Sequence, residues 1–263
     1  VARANEVGAD VVMATDPDAD RVGIALRNNN GEIVLLNGNQ TATILSYYLL
    51  QRWKELGKLS DKTYMVKTIV TTELLAAMAK DYGVKMYNVL TGFKYIAQVV
   101  RENEGKATFI GGGEESYGFN AGEFVRDKDA VIACSLFAEC TAWCATMGIT
   151  PYQLLQRIYE KYGMYKEALL SLTKKGKEGV EAIQKMMKEY RENPPATLAG
   201  SPVVKCVDYL RTEETGMPKS NVLQFFAENG AVVSIRPSGT EPKIKFYFGA
   251  HGADCDAVIA KLK

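Results

Sequence analysis

The sequence predicts an α/β fold in two parts: a three-layer α/β domain with a mainly parallel sheet, followed by an α+β C-terminal domain with an antiparallel sheet. Three observations predict it. From residue 63 to the helix that starts at Asp129, strand-length apolar runs alternate with helix-length segments, the spacing of a parallel sheet with both faces covered. After Asn193-Pro194-Pro195 the pattern changes to four strand-like runs separated by short breaks, which suits an antiparallel sheet. With 263 residues and 47% hydrophobic composition, the chain can also bury about two cores.

Taken in order, DVVMAT (10–15), GIALRN and EIVLL read as short strands around the turn at 28–31. Asn39 is expected to cap the helix QTATILSYYLLQRWKEL, which closes near Gly57. Strand TYMVKTIV, helix TTELLAAMAKDYG, strand KMYNVL, helix GFKYIAQVVRENEG and strand TFIG then lead to the apolar window 130–147, read as a buried helix. Thr150-Pro151-Tyr152-Gln153 has the cap, first-turn proline and capping-box glutamine of a helix start, so a domain boundary is placed just before it. A second amphipathic helix around 178–192 precedes strands VVKCVDYL, NVLQFFAEN, AVVSIR and KIKFYF and a last helix from about Asp254.

Charge is balanced: 32 basic residues against 31 acidic ones leave a net +1, so no global field argues for a nucleic-acid or membrane partner. The five cysteines, an odd number without a Cys-x-x-Cys pair or a nearby histidine, fit neither a disulfide framework nor a zinc site. They point to a reduced, cytoplasmic setting with Cys140 and Cys144 as small buried hydrophobes. The window 130–147, interrupted by Glu139 and two threonines, is too polar for a membrane span. The chain shows no signal peptide and opens on Val1 rather than methionine, and it reads as a fragment.

Three loops carry chemistry. In TDPDADR, Asp16, Asp18 and Asp20 alternate along a loop read as extended, so their carboxylates are expected to converge on one point. Converged carboxylates repel unless a cation neutralises them, and hard oxygen ligands suit Mg²⁺. An EF-hand would need glycine and glutamate where Arg21 and Arg27 stand. A phosphatase of the haloacid-dehalogenase type, with Asp16 as nucleophile, and a plain solvated acidic turn remain open at this point. In GGGEESYGF (111–119), glycines allow backbone to approach a ligand, while Glu114 and Ser116 offer an acceptor and a hydroxyl as a polyol reader would. In RPSGTEPK (236–243), Arg236, Ser238, Gly239 and Thr240 supply a guanidinium, hydroxyls and a pliable backbone for a phosphate monoester. The spacing is not that of a nucleotide P-loop.

Lys94, at the start of a helix in TGFKYI, suits an acid/base group or an anion contact. Arg126 and Lys128, taken alone, read as a surface salt-bridge cluster, and His251, the only histidine, as a bystander.

The three loops in this order resemble those of the α-D-phosphohexomutase family, which includes phosphoglucomutase and phosphomannomutase. TDPDADR resembles its magnesium loop, GEESYG its sugar loop and RPSGTEPK its phosphate loop, while TGFKYI and FVRDKDAV resemble segments of its third domain. The resemblance implies that residues 1–37 are the tail of the second domain, 38–148 the third and 149–263 the fourth. It implies a mutase that moves phosphate between the 1- and 6-positions of a hexose, most like the glucose-type members, through a phosphoserine and a glucose 1,6-bisphosphate-type activator. Mg²⁺ would sit on Asp16, Asp18 and Asp20 with Arg21 assisting. Glu114 and Ser116 would hold ring hydroxyls; Arg236, Ser238, Gly239 and Thr240 would hold the unreactive phosphate. Lys94 would be the general acid or base, and Arg126 and Lys128 auxiliary phosphate contacts. The family's Ser-His-Asn-Pro element has no match here, since His251 follows Ala250. The partners implied are therefore a phosphorylated sugar and N-terminal domains of the same protein, and the chain alone is expected to be inactive. A sugar-phosphate-binding module without catalysis is the alternative within the same resemblance.

Overall fold

The computed structural model describes residues 1–174, 176–239 and 241–263 and divides the chain into two units, Val1–Tyr162 and Gly163–Lys263. The first opens with a short helix, α1 (Ala2–Glu6), and an antiparallel meander of β1 (Val11–Thr15), β2 (Val22–Arg27) and β3 (Ile33–Leu35). Helix α2 (Gly38–Glu55) follows, then β4 (Thr63–Thr68), α3 (Leu74–Asp81), β5 (Lys85–Val89), α4 (Phe93–Asn103), β6 (Thr108–Gly113) and β7 (Phe119–Ala121). These strands form a sheet in the order β5-β4-β6-β7, parallel except for the last pair. Helices α5 (Ala130–Thr146) and α6 (Pro151–Tyr162) complete the unit.

The parallel sheet follows from the apolar strands the sequence marked. Every residue of β4 is buried, as expected for a central strand covered on both faces. Tyr64, Val66, Phe93, Ile96, Val100 and Phe109 form a core between α4 and the sheet. Burying each of the larger side chains contributes about 1.5–3 kcal/mol.

The cap of α2 is Asn37, not Asn39. The Asn37 side chain accepts from the Gln40 amide at 2.9 Å, and the Gln40 side chain accepts from the Asn37 amide at 3.0 Å, a reciprocal capping box. Asn39 is buried instead, and its Oδ1 accepts from the Thr72 amide at 3.0 Å. Glutamine three residues on was the signal that separates the two. Asn37→Ala is expected to cost about 1 kcal/mol in urea unfolding; no loss of stability would show that the box is not formed in solution.

Two further expectations are corrected. Helix α6 belongs to the first unit, because its apolar face, Leu154, Leu155 and Ile158, is buried there and the helix packs on α2, α3 and α5. The capping box at Thr150 and Gln153 is formed, but it marks a helix start rather than the unit boundary. Helix α5 buries only one face, Ala130, Ala133, Phe137, Cys140 and Cys144, while Val131 is 62% exposed. Its uniform apolarity hid that face. Among the described residues no single helix is long and apolar enough to cross a membrane.

The second unit comprises β8 (Tyr165–Thr173), α7 (Gly176–Glu192), β9 (Thr197–Leu198), β10 (Ser201–Asp208), the short α8 (Thr212–Thr215), β11 (Leu223–Ala227), β12 (Val232–Pro237), β13 (Lys243–His251) and α9 (Cys255–Leu262). Its sheet is antiparallel, in the order β8-β13-β12-β11-β10-β9. Inward residues of the strands, among them Phe225, Ile235, Ile244 and Phe248, meet Ile183 and Met187 of α7 and Ile259 of α9. Strand β8 is the longest element that sequence reading missed, along with the short β7, β9 and α8. Ala168, Leu170 and Leu172 alternate inward, but Leu169 between them is 52% exposed, which blurs the period-two signal.

Candidate functional site

The ladder of β1 and β2 closes at the pair Thr15 and Val22, leaving residues 16–21 as a loop. It is a tight turn rather than the extended segment expected. The Ala19 amide donates to the Asp16 carbonyl at 3.0 Å, and Ala19 is left-handed with φ 54, a conformation that costs a non-glycine residue energy and often marks a functional loop. Asp16 Oδ1 accepts from the amides of Asp20 and Arg21 at 3.1 and 3.0 Å. The Arg21 amide is the main reason the Asp16 carboxyl titrates below its ordinary range. One carboxylate oxygen from each of Asp16, Asp18 and Asp20 lies within 4.8 Å of the others. Asp20 Oδ1 is buried without a hydrogen-bond partner, and Arg21 Nε lies 3.6 Å away. An orphaned buried carboxylate oxygen within an all-oxygen cluster fits a hard divalent cation such as Mg²⁺.

The second loop, residues 114–118, joins β6 to β7 and is again a turn, with Tyr117 left-handed at φ 73. It is stitched to the first: Arg21 forms a β-bridge with Gly118, and the Val22 amide donates to the Tyr117 carbonyl at 3.2 Å. The Ala130 amide donates to the Ala19 carbonyl at 3.0 Å, which brings in the start of α5. Lys128, expected as an auxiliary phosphate contact, pairs with Asp20 Oδ2 at 2.9 Å and with Asp127 at 3.1 Å. Its stem covers Gly118, where a Cβ would come within 2.4 Å of Lys128 Cδ.

Glu114 is 7% exposed. Burial, and secondarily the charge of Glu115, push its carboxyl from 4.5 up to about 7, with Lys128 and Arg21 opposing. The folded chain thus retains a proton across a window, pH 4.5 to about 7, in which the unfolded chain has released it. Stability therefore falls as pH rises through that window and levels off above it. In the presence of chelator, Glu114→Gln is expected to gain on the wild-type protein between about pH 5 and about pH 8, by at most about 3 kcal/mol. Parallel stability profiles for the two proteins would contradict the shift.

Lys94 is exposed in the first turn of α4. With Gln98, Arg101, Arg126 and Asp127 it lines an open cavity of about 560 Å³, and Arg126 also pairs with Glu104. Arg101 was missed, although Lys94, Gln98 and Arg101 share one helix face by spacing.

In the second unit, the Pro237 and Ile244 pair opens the loop that begins at Ser238. The Ser238 amide donates to the Lys243 carbonyl at 2.7 Å, the Glu241 amide donates to Ser238 Oγ at 3.3 Å, and Lys243 pairs with Glu241 at 3.0 Å. Arg236 lies at the end of β12 opposite Lys245. Gly239 has open space around it and is not left-handed, so neither crowding nor backbone conformation requires glycine there. Thr240 lies outside the described residues. His251 stacks on Tyr165 with ring centroids 4.2 Å apart, a packing role.

Residues 37–162 match the family described as phosphoglucomutase/phosphomannomutase, alpha/beta/alpha domain III, and residues 170–260 match its C-terminal domain. The chain belongs to this family. The mutase-family assignment sets aside the haloacid-dehalogenase reading of TDPDADR. A curated relative, phosphoglucomutase of Staphylococcus aureus (strain MRSA252), is 38% identical over 98% of the chain and 48% of its own length. The chain thus spans about half the length of the curated relatives it matches. Among solved structures, a phosphoglucomutase/phosphomannomutase family protein from Burkholderia thailandensis aligns with a TM-score of 0.65 at 18% identity, over 99% of this chain and 47% of that one. N-acetylphosphoglucosamine mutase of Aspergillus fumigatus, solved with GlcNAc-6P and magnesium, aligns with a TM-score of 0.55 at 14% identity, over 96% of this chain and 50% of that one. Both share the fold of this mutase-family chain.

Proposed function

We propose that this chain is the C-terminal half of a phosphosugar mutase that interconverts a hexose 1-phosphate and 6-phosphate, with glucose as the first sugar to test. The observation that carries the reading is the stitching of the three-aspartate turn to the Glu114 loop through Arg21, Gly118, Val22 and Tyr117. It supports reading the aspartate turn as a cation site beside a buried carboxyl that takes a sugar hydroxyl. A relative crystallised with a sugar phosphate and magnesium adds support.

In this reading Asp16, Asp18 and Asp20 hold Mg²⁺, which when bound would neutralise charge on a transferring phosphoryl group. Arg21 adds a guanidinium at the edge of the same turn. Glu114, able to exist with or without its proton near neutrality, takes a ring hydroxyl as acceptor or donor, and Ser116 takes its neighbour. Lys94 and Arg126 face a shared cavity where an anionic group is welcome, with Lys94 the candidate acid or base. Arg236, Ser238, Gly239 and Thr240 hold the phosphate that is not reacting. Lys128 is assigned to Asp20 first and to phosphate only secondarily. The phosphoserine and the bisphosphorylated activator complete the cycle with the remaining half of the protein.

The test is turnover. Full-length protein with Mg²⁺ and glucose 1,6-bisphosphate is expected to convert glucose 1-phosphate to glucose 6-phosphate, and the 263-residue chain alone is not. Robust turnover by the chain alone would overturn the division of labour. Failure of the full-length protein on glucose, mannose and ribose 1-phosphates alike would overturn the mutase reading in favour of a binding module.

A further inference from the structure

GEESYG holds two adjacent glutamates, and the fold gives them different work. Glu114 is buried against the aspartate turn and Lys128. The Glu115 carboxylate reaches the turn that follows β4, where Thr68 Oγ1 and Thr71 Oγ1 lie 3.2 and 3.4 Å from its Oε2 and 2.8 Å from each other. Two hydroxyl protons serve these three approaches. One threonine thus donates to Glu115 directly, and the other donates either to Glu115 or to its neighbour. The second carboxylate oxygen, Oε1, accepts from Ser116 Oγ at 3.0 Å.

The anchoring turn is itself held firmly. Lys67, with no exposed surface, donates to the carbonyls of Thr68 and Thr71 at 3.3 and 3.2 Å and pairs with Glu73 at 2.8 Å. The Thr71 amide closes the turn on the Thr68 carbonyl at 3.1 Å. Glu115 therefore links the polar loop to one of the best-buried strands of the unit, β4.

We propose that Glu115 is a positioning residue whose carboxylate ties Ser116 to the Thr68–Thr71 turn and sets the direction of the Ser116 hydroxyl. An ionised carboxylate accepts hydrogen bonds and cannot donate them. Ser116 therefore donates its single proton to Glu115, and its lone pairs remain for a substrate hydroxyl. The substrate group read by Ser116 must then be a donor, such as a sugar hydroxyl. This rests on reading GEESYG as the sugar loop, as above.

The experiment uses full-length protein carrying Glu115→Ala, Glu115→Gln, Thr68→Val with Thr71→Val, and the combination of the alanine and valine changes. Glucose 1-phosphate turnover is expected to show KM raised about tenfold by Glu115→Ala, the size of one charge-assisted hydrogen bond, with kcat changed less than about threefold. The valine pair should reproduce this, and the combined protein should be no worse than Glu115→Ala within about twofold, because both changes break one link. Glu115→Gln, which can still accept through one oxygen, should recover part of the loss. Independent, multiplying effects, or an unchanged KM in Glu115→Ala, would overturn the proposal. Amide exchange over residues 114–118 supplies a readout that does not depend on turnover: faster exchange in Glu115→Ala is expected, and unchanged exchange overturns the anchor. Lack of turnover in wild-type protein, by contrast, would count against the mutase reading and leave the exchange result to judge Glu115.

Discussion

Asp18→Ala is expected to lower the affinity of this chain for Mn²⁺ or Mg²⁺ at least ~100-fold while leaving its stability in chelator unchanged or slightly higher. Replacing even an outer-shell partner of a metal ligand commonly costs about 10–100-fold, and Asp18 offers one of three oxygens clustered within 4.8 Å. It is exposed, so its loss removes repulsion between like charges without opening a cavity. Asp16→Ala should behave differently. Asp16 Oδ1 holds the amides of Asp20 and Arg21, so its removal should weaken binding and also lower the stability measured in chelator. Calorimetric titration with Mn²⁺, paired with thermal unfolding in chelator, separates the two. Equal metal affinity in Asp18→Ala and wild-type protein would dispose of the three-carboxylate site.

Gly38→Ala is expected to destabilise the first unit by about 2–3 kcal/mol, the upper range for overpacking, and to displace the loop carrying Glu114 and Ser116. A Cβ at Gly38 would fall 2.1 Å from the Glu115 carbonyl oxygen and 2.8 Å from the Tyr117 amide nitrogen. Both are backbone atoms, so no side-chain rotation relieves the contact. In an open helix the same change would be stabilising by roughly 0.5–1 kcal/mol, so even the sign is diagnostic. Gly23→Ala is a suitable control, because its Cβ would meet only the Ala14 carbonyl at 3.8 Å. Urea unfolding of both proteins, with amide exchange over 114–118, checks this. A neutral or stabilising Gly38→Ala would show that α2 and the loop do not approach so closely.

Much of the candidate site was legible because it is written locally. TDPDADR carries three carboxylates in five positions, and a local turn brings one oxygen of each within 4.8 Å of the others. GEESYG was legible as a polar loop after a glycine-rich strand, but the separate duties of its glutamates were not. Glu115 depends on Thr68 and Thr71, residues that look in sequence like ordinary strand-end threonines. Lys128 likewise reads as one more surface charge in FVRDKD until the fold sets it 2.9 Å from Asp20. Element types were recovered wherever apolar spacing was regular. Boundaries slipped where a strong local signal had a different meaning, as at Thr150, or where two candidate caps lay two residues apart, as at Asn37 and Asn39.

Sequence alone thus determined the alternation of strands and helices, the antiparallel closing domain and the place of the polar loops proposed to carry the chemistry, because hydrophobic period, capping residues and clustered side chains act over a few positions. Only tertiary structure decided that Glu114 is buried enough to titrate near 7, that Lys128 answers Asp20 and that Gly38 must lack a side chain. Those properties depend on desolvation and on atoms brought into contact from distant parts of the chain, and no local pattern encodes either.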